Sequence, residues 1–376
     1  MKFHYYLPVN LTFGRGRIAE AGRIAASYGE KALIVTGGMS TKKSGLLGRL
    51  VRYLEEAGMS MEIYDKVMPN PLTTTAVEGA EAVISSGCDV VIGVGGGSSL
   101  DCAKAIAFLS INKGDINQYI FNKETGAGAL PLILIPTTCG TGSEGNGFTV
   151  LTNPDTGDKK SLKTNAVIAK ASIIDSELME TMPKKVLASV GFDALCHCME
   201  AYLSENSQPL VDTMCLSGID IIRKYLRGIY AGNDEPEAWD GIAWASTIGG
   251  MAIYSAGVTL PHGMEHPASG LKNIVHGEGL AALTPVITEA SIDGSPHKYA
   301  EISKHLGGKN EKDCASVLRN LAGELGITGS LGKLGIKKAD IPWMTDNCYR
   351  VSTASIENHP VRFTDEEIAE LYEKAL

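Results

Sequence analysis

Three short runs in the first half of this chain are apolar without alternation: 31–36 (KALIVT), 89–94 (DVVIGV) and 130–135 (LPLILI). A strand with one wet face alternates apolar and polar residues, so a continuous apolar run bounded by turn residues implies a strand covered on both faces. A loop and helix at 38–58, an amphipathic helix at 73–86 and a helix at 98–109 separate these runs, with a short strand at 61–64. Such alternation folds as βαβ units, a parallel sheet between two helical layers. Segments 148–152 and 173–175 add further strand character.

The texture changes near Pro183. Strand signals give way to helical stretches at 184–204, 210–231, 235–256, 281–290, 296–306, 311–325 and 365–375. The expectation is an α/β domain over 1–182 and an all-helical domain over 183–376, a division that the length of 376 residues also favours. Two tightly joined domains usually place a site in the cleft between them. The net charge of −9 with dispersed basic residues points away from nucleic acid. No apolar run reaches the ~18 residues of a membrane span, and the N-terminus lacks the apolar core of a secretory signal. The 8 scattered cysteines read as free buried thiols in a reducing cytoplasm.

Two glycine–hydroxyl loops follow strands. Gly95-Gly96-Gly97-Ser98-Ser99-Leu100-Asp101 opens a helix whose first N–H groups can face a phosphate, with Ser98 or Ser99 as its cap. It is not the G-x-G-x-x-G fingerprint, and a plain βα turn would look similar. The second loop, Pro136-Thr137-Thr138-Cys139-Gly140-Thr141-Gly142-Ser143-Glu144, follows another strand. Ligands of open α/β sheets bind at that end of the strands. Two such loops on one edge suit a long phosphate-bearing ligand, with a nucleotide the natural candidate.

Half of the 8 histidines fall in three short segments of the second half. Asp193 and His197 are spaced i, i+4 and share a helix face. His262 and His266 share the same spacing, and His276 follows. One carboxylate with three imidazoles completes the shell of a divalent cation, but five groups compete for four positions. Glu200 lies on nearly the face of Asp193 and His197 and reads better as a supporting residue than as a ligand. Without a thiolate, the set suits Fe²⁺ or Zn²⁺.

These motifs, in this order, resemble the iron-containing alcohol dehydrogenases of dehydroquinate synthase-like fold. The resemblance runs from Phe13-Gly14 to Asn358–Thr364 (NHPVRFT) and rests on Gly95–Lys104, Pro136–Glu144, Gly191–Tyr202 (GFDALCHCMEAY), Pro261–Pro267 and His276-Gly277. It implies a Rossmann-like sheet domain and a helical metal-binding domain. It implies metal ligation by Asp193, His197, His262 and His276, with His266 near the substrate instead. It implies NAD(P) along Gly95, Gly96, Gly97, Ser98, Ser99, Thr137, Thr138 and Thr141, with Asn70, Asp101 and Lys159 as further contacts. Glu265 departs from the small residue common in the family and resembles the butanol dehydrogenase-like branch; it is expected to orient His266 or line a polar pocket. The family also suggests a dimer or higher oligomer.

The expected activity is hydride transfer between a nicotinamide and a small primary alcohol or aldehyde. A glycerol or polyol dehydrogenase, a dehydroquinate synthase-like lyase and a non-catalytic binding protein are the alternatives. The lyase needs basic residues around its anionic substrate, and the segments near His262 and His276 carry only Lys272. NADP(H) is expected over NAD(H). An acidic residue at a strand end commonly binds the ribose of NAD and repels a 2′-phosphate. Here the first long strand runs into Gly37-Gly38-Met39-Ser40-Thr41-Lys42-Lys43, with no carboxylate. Gly37 leaves room there, and Ser40 offers a hydroxyl.

Overall fold

The computed structural model describes residues 2–376. Six strands form one parallel sheet: β1 (Leu11–Phe13), β2 (Lys31–Gly37), β3 (Ser60–Val67), β4 (Val90–Gly95), β5 (Leu132–Pro136) and β8 (Ala171–Ile174), in the order β1–β8–β5–β4–β2–β3. Every residue of β4 and β5 is buried. Alternation sends Leu33, Val91 and Leu134 to one face and Ile34, Ile92 and Ile133 to the other, each into its own apolar cluster. The three apolar runs are thus the centre of the sheet. β3 is an edge strand and mostly less buried.

From β2 the chain moves outward to β3, then returns past β2 to lay down β4. The winding reverses between β2 and β4, and the crevice at the carboxyl ends there is where open sheets take ligands. The glycine-rich turn after β4 stands at that point.

Several elements differ from the sequence reading. β1 is three partly buried residues, too short to leave a pattern. Residues 148–152 do not join the main sheet. They form β6 (Phe148–Thr152), paired antiparallel with β7 (Lys159–Lys163). The helix after β4 begins at Gly97 with Gly96 as its cap, so neither Ser98 nor Ser99 caps it. Gly95, at φ 144°, turns the chain early enough to place both serines inside the first turn.

The helical half begins at Lys184. Lys184–Leu203, Pro209–Ala231 and Pro236–Ala256 build one core around Phe192, Leu195, Ile219 and Ile242. Leu260–Lys272, Ile341–Val351 and Asp365–Ala375 build a second around Met264, Met344 and Tyr372. His276–Ser291 belongs to both, through Leu280 in the first and Leu283 in the second. Lys184–Leu203 is apolar and long enough to span a membrane by composition, but 89% of that window is buried inside the fold.

Leu260–Lys272 escapes a pattern search because Pro261 and Pro267 punctuate it. Pro261 occupies the first turn, where a missing N–H is harmless. Pro267 leaves the carbonyl of Gly263 without its helical donor. The Cys348 thiol donates to that oxygen at 3.2 Å.

The two halves touch through backbone. Gly142, at φ 56°, lies against Gly250, where an added Cβ would sit 2.1 Å from the Gly142 oxygen. Asn70 reaches across from the sheet side to donate to Asn273 Oδ1 at 2.6 Å.

Candidate metal and nucleotide site

Four donors converge between the two helical cores. Asp193 and His197 come one turn apart from Lys184–Leu203, His262 from the start of Leu260–Lys272, and His276 from the first residue of His276–Ser291. From Asp193 Oδ1 the Nε2 atoms of His197, His262 and His276 lie 3.5, 3.5 and 3.6 Å away. Asp193, His262 and His276 present ligand atoms all within 4.8 Å of one another.

The other ring nitrogens explain this convergence. His197 Nδ1 faces the Gly140 carbonyl at 3.2 Å. His262 Nδ1 faces Glu200 Oε1 at 2.6 Å, and His276 Nδ1 bonds Glu265 Oε2. All three partners are acceptors, so each Nδ1 carries the hydrogen and each Nε2 turns a lone pair inward. Asp193 Oδ1 and His262 Nε2 are buried without any hydrogen-bond partner. Orphaned buried acceptors aimed at one point are unfavourable unless a cation fills it. Four ligands about 2.1 Å from a tetrahedral ion are about 3.4 Å apart, close to the spacing seen. The donor set therefore fits a divalent ion.

Burial disfavours charge on Asp193, but the three imidazoles outweigh it and hold the carboxyl well below its usual range. Burial also opposes charge on His262, yet Glu200 and Asp193 push its pKa up to about 10. That value describes the seat without its cation, when a proton is the only positive charge on offer. For His197 burial prevails and lowers the pKa to about 4.

Glu200 braces rather than ligates. Besides His262, its Oε2 accepts from the Thr259 N–H at 2.7 Å. Glu265 corrects an expectation: it holds His276, not His266. It also accepts from Ser269 and lies 3.6 Å from Lys159 Nζ. A fully buried carboxylate needs such partners, and His276 and Lys159 lower its pKa against the effect of burial. His266 makes no hydrogen bond among the described residues. Its ring stands 6.2 Å from His262 and 5.9 Å from His276, partly open to a cavity. Burial, then the Lys159 charge, keep it neutral by lowering its pKa well below the ordinary value.

The cavity, about 370 Å³, runs between the halves. Gly97, Ser98, Asn70, Asp101, Thr141 and Lys159 line it from the sheet side, and all four donors and His266 from the helical side. The remaining nucleotide candidates stand behind or beside this wall. Thr137 N–H donates to the Gly95 carbonyl at 2.9 Å, tying the two glycine loops together. A side chain on Gly96 would press on Thr138, and one on Gly97 would collide with Thr141 at 2.4 Å. Ser99 folds back toward Gly95. Asp101 accepts from Ser143 Oγ and the Val150 N–H, at 2.6 and 3.0 Å, and so also pins the second loop and β6. Gly37 ends β2, and the exposed Ser40 starts a four-residue helix; neither reaches the cavity.

Sequence reading missed the rest of the wall, notably Phe148, Lys160 and Lys163 from the β6–β7 hairpin, Ile253 and Ser355 from helices, and Val258 from the connection after Ala256. The hairpin had a signal, since Asn153-Pro154-Asp155-Thr156-Gly157 is turn chemistry between two short runs. All 8 cysteines are free and buried.

A nucleotide-type crevice in a parallel sheet, facing a carboxylate–imidazole cation seat in a helical domain, defines a metal-dependent dehydrogenase. The chain belongs to the iron-containing alcohol dehydrogenase family: the family model "Iron-containing alcohol dehydrogenase" matches residues 8–176, and "Fe-containing alcohol dehydrogenase family, C-terminal" matches 187–376. Alcohol dehydrogenase 4 of Saccharomyces cerevisiae is 33% identical, over 99% of this chain and 98% of its own. The solved structure of an archaeal halo-thermophilic Red Sea brine pool alcohol dehydrogenase superimposes with a TM-score of 0.96 at 32% identity, covering 100% of this chain and 99% of that one. NADH-dependent butanol dehydrogenase A of Thermotoga maritima does so at 0.92 and 29% identity, covering 100% and 98%. The protein is therefore an oxidoreductase of the alcohol dehydrogenase class, using a metal and a nicotinamide cofactor. The lyase, polyol and non-catalytic readings are not favoured.

Proposed function

We propose that the protein transfers a hydride between a nicotinamide dinucleotide and a small primary alcohol or its aldehyde, with one divalent cation held by Asp193, His197, His262 and His276. The observation that carries this reading is the single cavity onto which both the first glycine loop and the four donors open. Iron suits the family's name, and zinc suits the donors equally. We assign the dinucleotide to Gly37, Ser40, Asn70, Gly95, Gly96, Gly97, Ser98, Ser99, Asp101, Thr137, Thr138, Thr141 and Lys159. We place the domain division at Pro183, where the last strand has ended and the long helices begin. When bound, the cation supplies a Lewis acid that lowers the pKa of the alcohol, and the nicotinamide accepts the hydride.

The chain's own part is orientation and proton handling. The glycine loops let backbone N–H groups approach phosphates. Phe148, Ile253 and Val258 give the cavity an apolar wall that limits water around the reacting carbon. We assign His266 to the substrate side, because it is the cavity-lining imidazole of the cluster without a hydrogen-bond partner. A neutral ring there can take the alcohol proton, or return it in the reducing direction. Absorbance at the reduced nicotinamide, read with a panel of alcohols and aldehydes and with metal removed and restored, tests the whole reading. In that assay His266→Ala should keep its metal and lose about 10²-fold or more in kcat. Loss of metal would instead make His266 a ligand, and unchanged turnover would remove its catalytic role.

We further propose NADP(H) as the preferred cofactor. The supporting feature is that β2 ends on Gly37 with no carboxylate through Lys43. Lys42 is already paired with Asp65, so a 2′-phosphate must share it or rely on Lys43 and Ser40. Gly37→Asp is sterically mild, since the new Cβ would stand 3.4 Å from the Val67 oxygen. It should move the ratio of kcat/KM values toward NAD(H) by about tenfold or more through repulsion of the 2′-phosphate. A parent enzyme that prefers NADH, as the Thermotoga relative's name says of that protein, would overturn this assignment. Free buried thiols support a cytoplasmic setting. A homodimer or larger homo-oligomer rests on the family resemblance, and light scattering decides it.

A further inference from the structure

The cavity contains a cation that the proposed chemistry does not use. Lys163 ends β7 and lines the cavity beside Phe148. Its ammonium lies over two aromatic faces, 5.1 Å from the centre of Phe148 and 5.3 Å from that of Tyr254. These rings meet edge to face at 5.3 Å, and the Tyr254 hydroxyl donates to Asn165 Oδ1 at 2.6 Å. The aromatic pair is therefore fixed, and it holds the ammonium in place. The Lys163 ammonium makes no ion pair or hydrogen bond among the described residues. The residue is solvent-accessible, and partial burial lowers the pKa of its ammonium, with no neighbouring carboxylate to offset that effect.

The contrast with its neighbours is what carries weight. Lys159, four residues earlier on the same strand face, has Glu265 as its partner, and Lys160 donates to the Val351 carbonyl at 2.5 Å. Side chains at i and i+4 of a strand point the same way and are about 13 Å apart along it. Lys159 serves the metal end of the cavity through Glu265 and His276. Lys163 stands well along the strand from Lys159, over Phe148 and Tyr254. An ammonium fixed on the cavity wall over two aromatic faces, with no carboxylate partner, is a receptor for an anion, because an incoming anion supplies the charge pairing that the protein does not.

We infer that Lys163 is a specificity-determining residue, selecting small aldehydes and alcohols that carry a compact anion such as a carboxylate at the end remote from the reacting carbon. This inference rests on the proposed hydride-transfer reading. The test compares two aldehydes of equal chain length, butanal and 4-oxobutanoate, in the metal-loaded enzyme. The parent should have the higher kcat/KM for 4-oxobutanoate. Lys163→Met should lower the ratio of the two kcat/KM values about ten- to a hundredfold, as expected for losing one charge-assisted bond, and Lys163→Arg should restore most of it. The loss should fall mainly in KM and shrink at high salt. A parent that favours butanal, or a ratio unmoved by Lys163→Met, overturns the assignment while leaving the hydride-transfer reading intact. Turnover of neither aldehyde, nor of any alcohol, overturns both.

Discussion

His197→Ala is expected to abolish metal binding and lower kcat by about a thousandfold or more. The imidazole supplies one of three Nε2 atoms around Asp193 Oδ1, at 3.5 Å. Its removal leaves an open position beside a buried carboxylate that already lacks a hydrogen-bond partner. Lewis-acid stabilisation is worth several kcal/mol, and each 1.4 kcal/mol is about tenfold in rate. Metal content measured by mass spectrometry separates this from a folding defect, since the variant should elute and melt as a folded protein. A variant with one equivalent of tightly bound metal and normal turnover would show that the four donors do not form the catalytic centre.

Gly250→Ala should be among the most damaging single-methyl additions in the chain. The new Cβ would lie 2.1 Å from the Gly142 oxygen and 2.6 Å from its Cα, and both are backbone atoms that cannot rotate away. Gly142 itself is held at φ 56°, so the loop after β5 has little freedom to retreat. Overpacking usually destabilises by 1–3 kcal/mol when side chains absorb it. Here backbone must move, and about 3 kcal/mol or more is expected. Because the loop also presents Thr141 to the cavity, nucleotide affinity should fall together with thermal stability. Gly48→Ala is the control, because nothing lies within 4 Å of its added Cβ. Equal melting temperatures and equal nucleotide affinities for the two variants would show that the contact is not structurally important.

What was legible in the sequence follows from the physics of each feature. Central strands buried on both faces cannot hide, and the runs around Val91 and Ile133 announce β4 and β5 directly. The donors were legible because helical spacing couples Asp193 to His197. The choice of His262 over His266 was not legible, because both share that spacing. What separates them is a carboxylate behind one ring and none behind the other. Glu200, sixty-two residues before His262 in sequence, meets its Nδ1. The role of Glu265 was misread for the same reason, since adjacency to His266 in sequence puts the two on different sides of the helix, and its partner His276 comes from the next helix. The short helix with two prolines and strand β7, with its pairing to the segment 148–152 that did read as a strand, were lost because local pattern is weak where tertiary bonds, such as Cys348 to the Gly263 carbonyl, do the holding. The substrate wall is assembled from segments far apart in sequence, and no periodicity reports on it.

Lys159, from the sheet half, leans on Glu265, which in turn grips the ring of His276. Under the proposed assignment of His276 to the cation and Lys159 to the dinucleotide, two binding events share one buried carboxylate. A dinucleotide that draws the Lys159 ammonium toward itself strips a counter-charge from Glu265 and leaves it more fully committed to the imidazole. Reciprocity then applies: whatever factor the dinucleotide imposes on affinity for the cation, the cation imposes on affinity for the dinucleotide. The order in which the two are loaded cannot change the final complex, but a cell short of one will hold the other less or more tightly by that same factor.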